Sequence, residues 1–318
     1  MFARLSNLFS RRRDWKYPTP VPELAKDLDF RTLKEFRGDA LPQSNTMNWL
    51  DAPDAVEEIE RRRAADRITE EEAEACLYWV ENGYLIVEKL FAAEELDTAF
   101  EAYERALLAG ELGPIDVVSP DGQLYDRKLD PALQVSALKV LQHHPKLMRW
   151  TDLLLGRKTV PFQTIMGHAG SGQRAHSDSI HMTTYPVGFM VASWTAFEDI
   201  EDDSGPLEYY PKSHRLPYLL SREAGIEPAQ FRTEGYAVYS KLYEPAIAEL
   251  CATHGFERRQ FLPKKGDTLF WHANLIHGGS ARANPNRSRK ALVCHNFAEG
   301  VLSYHDLSGL PTRIHTQP

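Results

Sequence analysis

Apolar residues recur at two different spacings along this chain, and the change near residue 160 divides it into a helical part and a β-rich part. Residues 53–67 (PDAVEEIERRRAADR) carry few apolar positions and read as a polar helix. Thr69 followed by Glu72 forms a capping-box pattern that opens a second helix, and Gly83 closes it. The short apolar run YLIV at 84–87 predicts a strand, and residues 92–108 an amphipathic helix with Leu96, Phe100 and Tyr103 on one side. Residues 113–130 read as a loop, with turn chemistry in SPDG at 119–122. Residues 131–155 return to helix, interrupted at His144 and Pro145. From Val160 onward, short runs rich in Thr, Val, Phe, Tyr and Trp alternate with Gly, Pro and Asp turns: PFQTIM, HMTTYPVGFMVASWTAF, GPLEYYP, DTLFWHANLIH and KALVCHNF. That texture predicts an antiparallel sandwich or barrel, with one helical insertion at about 244–254. The expected division is an arm with a polar helix over 1–68 and a main domain over 69–318.

Composition changes this picture little. The chain has 318 residues, 42% hydrophobic and 26% charged, as expected of a globular protein with a sizeable core. No apolar run approaches the roughly 18 residues of a membrane-spanning helix. The net charge of −8 gives no reason to expect nucleic acid as a partner. Cys76, Cys251 and Cys294 are widely spaced and lack a CxxC pairing, which predicts reduced, mostly buried thiols in a cytoplasmic protein. The first fifteen residues, MFARLSNLFSRRRDW, place Phe2, Leu5, Leu8 and Phe9 on one helical face among arginines. They read as a docked tail or a membrane-surface helix, and lack the long apolar stretch of a secretory signal.

Twelve histidines are the feature most worth sorting for ligand spacing. His176-Ser177-Asp178 is an H-x-D triplet, and in extended backbone the first and third side chains point to one side. His277 lies 101 positions later, at the end of the apolar run DTLFWHANLIH, before Gly278 and Gly279, which read as a turn exposing the imidazole. Two histidines and a carboxylate on one face suit iron(II) and leave coordination positions open. Beyond them Arg287, Arg289 and Lys290 form a basic cluster. It is either a solvated turn or the source of a guanidinium that grips a carboxylate.

These motifs come in a familiar order: WVENGYLIVEKLFAAEELD at 79–97, QTIMGHAGSGQRAHSDS, SWTAFEDI, DSGPLEYYPKSHR, KKGDTLFWHANLIHGGS and SRKALVCHNF. Over about two-thirds of its length the chain resembles the phytanoyl-CoA dioxygenase family. The resemblance implies a double-stranded β-helix (a jelly roll, cupin-like) with packed N-terminal helices. It implies an iron(II)- and 2-oxoglutarate-dependent dioxygenase that consumes O2 and hydroxylates a small-molecule or acyl substrate. Iron ligands are then His176, Asp178 and His277. Arg289 holds 2-oxoglutarate, with Arg287 as its rival. Trp194 lines the oxoglutarate pocket, and Gln163 and Thr164 sit on the strand that faces it. Two departures stand out. Lys212 replaces the family's usual glycine before Ser213-His214, and residues 216–264 look particular to a subgroup and shape the substrate pocket.

Two other readings use the same residues. A cupin-like metalloenzyme without 2-oxoglutarate keeps the triad but leaves Arg289 an ordinary surface charge; a catalytically silent jelly-roll binding module needs neither. Among the remaining histidines, His214 reads as a structural group bonded to backbone. His272 reads as lying on the face of its strand opposite His277. His181 and His295 are candidates for the pocket lining. Asp267 reads as a turn residue, and Phe270 and Trp271 as core.

Overall fold

The computed structural model describes residues 35–113 and 127–312; the N-terminal amphipathic stretch and the SPDG loop lie outside them. The helices form where the polar–apolar spacing places them. α1 (Ala55–Ala64) buries only Ala55 and Ile59, and its charged face is tied by ion pairs such as Glu58–Arg62 at 2.7 Å. In α2 (Glu70–Asn82) the capping box is complete: Thr69 accepts from the Glu72 N–H, and the Glu72 carboxylate accepts from the Thr69 N–H. Gly83 ends α2 at φ 78°, and a Cβ there would also lie 2.3 Å from the His214 ring. Only glycine satisfies both the left-handed cap and the close approach. β1 (Tyr84–Val87) follows, then α3 (Ala93–Leu108), β2 (Arg127–Leu129), α4 (Ser136–Gln142) and α5 (Pro145–Leu155).

The β-rich half comprises β3 (Thr159–Gly167), β4 (Thr183–Tyr185), β5 (Met190–Ala196), β6 (Leu207–Tyr209), β7 (Arg259–Phe261), β8 (Thr268–His272), β9 (His277–Gly279), β10 (Ala291–Ala298), β11 (Leu302–His305) and β12 (Leu310–Pro311). The insertion between β6 and β7 holds α6 (Pro228–Glu234) and α7 (Tyr236–His254), so its helical part is larger than the expected 244–254. One six-stranded antiparallel sheet runs β1-β8-β5-β10-β3-β2, and two three-stranded sheets run β12-β11-β4 and β7-β6-β9. This is the jelly-roll core with helices packed on it.

Register decides which side chains face the interior of the roll. Directly opposed residues in an antiparallel ladder share a face. Gln163, His295, Ala192, Trp271 and Tyr84 therefore form one row across the large sheet, and Ile165, Val293, Trp194, Leu269 and Ile86 a parallel row on the same face. The intervening row, Thr164, Cys294, Ser193, Phe270 and Leu85, points the other way. Helix α5 packs against β3, β5 and β10.

Two expectations about DTLFWHANLIH need correcting. It is not one strand: β8 stops at His272 and β9 starts at His277. The side chain of Asn274 donates to the carbonyls of His214 (3.1 Å) and Leu216 (2.7 Å), which pins the bend between the two strands. Nor are Gly278 and Gly279 a turn that exposes His277. They lie inside β9, opposite Glu208 and Leu207, and His277 is buried.

Candidate metal centre

The loop before Asp178 is brought to β9 by backbone pairing: His176 N–H donates to the His277 carbonyl (2.8 Å) and His277 N–H to the His176 carbonyl (2.9 Å). The bare Cα atoms beside His277 make this approach possible. A Cβ on Gly278 would meet the Gln173 carbonyl at 2.8 Å, and one on Gly279 the Ser171 hydroxyl at 2.6 Å. Ser177 is extended (φ −110°, ψ 137°), so His176 and Asp178 point to one side, while a short 3-10 turn begins at Asp178. The Ser177 hydroxyl turns the other way and donates to the Ala273 carbonyl (3.0 Å).

His176, Asp178 and His277 converge, with one donor atom from each within 4.8 Å of the others. Each imidazole is set by its own backbone: His176 Nδ1 lies 2.9 Å from the Arg174 carbonyl and His277 Nδ1 lies 3.0 Å from the Leu275 carbonyl. A carbonyl only accepts, so Nδ1 carries the proton in both rings and Nε2 carries the lone pair. These Nε2 atoms face the Asp178 carboxylate at 3.7 Å and 3.6 Å. Burial, reinforced by His277, pushes His176 down to about 3, so it is neutral at physiological pH. Burial alone would raise Asp178, but the surrounding histidines, His277 foremost, hold it well below the usual carboxylate range. Two imidazole Nε2 atoms and one ionised carboxylate, all buried, fit a divalent transition metal.

Two further side chains brace the carboxylate. Trp271 Nε1–H donates to Asp178 Oδ2 at 2.8 Å, and the Trp271 ring lies 4.7 Å from that of His277. His295 Nε2 lies 3.6 Å from the same oxygen. His295 was a candidate for the pocket lining, and it sits against the acid of the triad. Trp271 was expected only in the core. All five residues of β8 are buried, so its pattern shows no alternation to mark an inward side; only the cross-strand register with Ala192 and His295 does.

Arg289 is buried and stacks over Trp194, with Cζ 5.5 Å from the ring centre. Its Nη2 reaches only the Ala169 carbonyl, at 3.5 Å, and its Nε is buried with no hydrogen-bond partner among the described residues. Burial, with Arg127 nearby, lowers the guanidinium to about 10. Arg287 has a different environment: it is half exposed and pairs with Asp203 at 2.6 Å.

Gln163 lies opposite His295 and shares its inward face. Thr164 does not. It is on the outward face of β3, where its hydroxyl accepts from the Ala132 N–H at 3.4 Å, so the expectation that both residues face the pocket fails for Thr164. Adjacent strand residues cannot share a face. His214 Nε2 lies 3.4 Å from the Val80 carbonyl, a backbone contact as expected. His272 is kept from the triad by the end of β8, and its Nε2 lies 3.2 Å from Asp51. Asp267 caps two turns, accepting from the N–H groups of Lys89 (3.0 Å) and Lys264 (2.9 Å).

His181 follows the 3-10 turn, with its ring 6.0 Å from that of His176 and its Nδ1 buried without a hydrogen-bond partner among the described residues. Around it stand His305 (5.9 Å), Tyr236 (5.9 Å) and Tyr239 (5.1 Å), the tyrosines coming from α7. The 216–264 segment thus supplies one wall beside the triad.

No helix among the described residues is long and apolar enough to cross a membrane. Residues 79–291 match the family model described as phytanoyl-CoA dioxygenase (PhyH). The chain is 24% identical over 254 residues to the peroxisomal phytanoyl-CoA dioxygenase of Bos taurus, spanning 73% of this chain and 70% of that one. Among solved structures it resembles the epimerase SnoN in complex with Fe3+, alpha ketoglutarate and nogalamycin RO: TM-score 0.56, 19% identity, 73% of this chain and 85% of that chain. It also resembles EctD from S. alaskensis with 2-oxoglutarate and 5-hydroxyectoine: TM-score 0.56, 18% identity, 92% and 86% of the two chains. Matched over most of its β-rich half, with a buried His-Asp-His centre at the position its own folding dictates, this chain belongs to the phytanoyl-CoA dioxygenase family and is an iron- and 2-oxoglutarate-dependent dioxygenase.

Proposed function

We propose that His176, Asp178 and His277 hold the iron, that Arg289 holds the distal carboxylate of 2-oxoglutarate above Trp194, with Gln163 on the same wall, and that the reaction is hydroxylation of a small molecule. The observation that carries the 2-oxoglutarate site is the buried guanidinium of Arg289, which has no carboxylate partner among the described residues. Such a group is costly to bury alone and is compensated by an anion able to receive two parallel N–H donors. A metalloenzyme that used no dicarboxylate would have no use for it.

When bound, the metal supplies the redox chemistry, in which O2 and 2-oxoglutarate become succinate, CO2 and an oxidised substrate. The protein's own contributions are positional. The Arg174 and Leu275 carbonyls hold the Nδ1 protons of the two histidines, so that both Nε2 lone pairs are presented inward. Trp271 fixes one oxygen of Asp178 and screens it from solvent. The intact carboxylate at Asp178 supports hydroxylation, since an acidic ligand occupies the position that a halide would need.

The wall of His181, His305, Tyr236 and Tyr239 supports a compact substrate with hydrogen-bonding groups. An unbranched or methyl-branched acyl chain would leave the buried His181 Nδ1, which has no hydrogen-bond partner among the described residues, still unpaired, at about 1–3 kcal/mol. Phytanoyl-CoA, named in the mammalian relative, is therefore the discriminating compound: succinate release should not rise when it is added. Free thiols at Cys76 and Cys294 fit a reducing compartment, and subcellular fractionation tests whether that is the cytoplasm.

The deciding experiment is anaerobic titration of the iron(II)-loaded protein with 2-oxoglutarate, following the weak visible band of the chelate. The wild type should develop the band, and Asp178→Ala should fail both to retain iron and to form it. Iron binding without a band would transfer the reading to the cupin-like alternative. Full iron retention by Asp178→Ala would remove the ligand assignment.

A further inference from the structure

A series of oxidisable rings runs from the metal centre to the protein surface across neighbouring strands. Trp271 touches both Asp178 and His277. Tyr84 is its cross-strand neighbour in β1. Tyr209, on β6, is the cross-strand neighbour of His277 itself. The rings of Tyr209 and Tyr84 lie 4.6 Å apart, and those of Tyr84 and Tyr78 lie 5.3 Å apart, with their hydroxyls hydrogen bonded to each other. Trp271, Tyr84 and Tyr209 are buried, whereas Tyr78 is 40% exposed on α2. Arg259 Nη1 donates to the Tyr84 hydroxyl at 3.4 Å. Packing alone would favour apolar rings here. Buried phenols each need a hydrogen-bond partner, and these find one largely in each other.

We propose that Trp271, Tyr209, Tyr84 and Tyr78 form an electron relay that protects the centre when O2 and 2-oxoglutarate react there with no substrate bound; this rests on the dioxygenase reading above. Each turnover without substrate leaves a two-electron oxidant at the metal, so two electrons pass inward along the rings in succession, and two protons from water convert its oxygen to water. Each deficit moves outward to Tyr78, whose phenol becomes a neutral phenoxyl radical by losing an electron inward and its proton to water. The Tyr84 oxygen accepts from both Arg259 and Tyr78, and the cationic Arg259 disfavours positive charge there, so the hole passes on to Tyr78. At the surface a low-molecular-weight thiol restores the phenol by giving up a hydrogen atom and becoming a thiyl radical. Without the relay, the same oxidising equivalents would be spent on the side chains nearest the metal, with Trp271 first.

The test uses the full-length iron(II)-loaded protein with 2-oxoglutarate, mixed with O2 in the absence of substrate. Samples frozen over time are read by electron paramagnetic resonance, by peptide mass for oxygen insertion at Trp271, and for succinate. The wild type should show a tyrosyl signal that glutathione erases. Tyr78→Phe and Tyr84→Phe keep the packing and should form the same first burst of succinate, but lose most of the signal and gain several-fold oxygen insertion at Trp271. Succinate formation in the wild type with no organic radical would overturn the relay. So would a Tyr84→Phe protein with wild-type radical yield and unchanged Trp271. If no succinate forms at all, the dioxygenase reading fails, and the relay falls with it for that separate reason.

Discussion

At the first turn of α2, the Glu72 carboxylate is buried with its oxygens engaged: it accepts from the Thr69 N–H at 2.9 Å and from two Arg149 nitrogens at 2.6 Å each. Near the mouth of the roll, Arg289 is equally buried, yet it reaches only one carbonyl, at 3.5 Å. Both regions take a charge out of water. The helical corner completes it within the chain, and the roll leaves it to be completed by something else. The contrast also separates the two arginines before β10, since Arg287 has its carboxylate in Asp203 and Arg289 has none among the described residues. A buried charge whose partners are all present belongs to the architecture, and one whose partner is missing marks where a ligand goes.

The sharpest way to break this comparison is Arg289→Met. Loss of a buried charged pair predicts at least about 100-fold weaker 2-oxoglutarate binding, within the 2–5 kcal/mol such truncations cost. The ligand-free protein should at the same time become more stable, by about 1–3 kcal/mol, because an uncompensated guanidinium is gone. Calorimetric titration and thermal melting check the two halves, and a parallel loss of both would mean Arg289 is structural. The same group predicts a pH limit. Its charged form binds the carboxylate and titrates at about 10 in the ligand-free protein, so affinity should hold below that pH and fall as pH rises through it. Next in size is Trp271→Phe, expected to cost about tenfold in iron affinity through the lost bond to Asp178, read by competition with a chelator.

Glu72→Ala should do the converse of Arg289→Met. It removes the Glu72 half of the capping box and the Arg149 contacts, lowering stability by about 1–2 kcal/mol in denaturant titration while leaving 2-oxoglutarate binding intact. Arg149 is more than half exposed, so solvent screens much of the pair. Glu72 is held below the usual carboxylate range by Arg149 and the Thr69 N–H, against the opposing effect of burial. Its stabilisation is therefore present at neutral pH and is lost as pH falls through the acid range. Arg287→Ala should be smallest, under about 1 kcal/mol in stability and without effect on 2-oxoglutarate binding. A large effect there would move the anchor to Arg287.

Much of this was legible before the structure, and the remainder was hidden for physical reasons. Local signals carried the helices: the capping box at Thr69, the glycine stop at Gly83 and the interruption at His144 and Pro145 all fall where they were expected. The triad was legible because ligand chemistry restricts residue type and the H-x-D spacing sets direction. The break in DTLFWHANLIH was not, because Asn274 holds the bend through carbonyls 60 and 58 positions away in sequence. The faces of Thr164 and Trp271 were equally hidden. β8 is buried on both sides and β3 is half-buried over much of its length, so neither strand alternates, and facing follows from register with strands far away in the chain. Gly278 and Gly279 were visible as residues but misread as a turn, since a glycine demanded by a neighbouring loop looks like one demanded by its own backbone.

The origin of the wall beside the triad has a consequence for how this enzyme can change. His176, Asp178 and His277 come from the loop before β4 and from β9, and Arg289 from the approach to β10. Tyr236 and Tyr239 arrive together on one helix of one contiguous insertion. Half of the wall beside the triad, Tyr236 and Tyr239, thus comes from one insertion, while His181 and His305 come from the roll itself. The same insertion carries β7, which pairs with β6, and Tyr243, whose hydroxyl accepts from the Ser177 N–H, so a change of specificity that spares the centre is confined to positions such as Tyr236 and Tyr239 rather than spread over the whole segment.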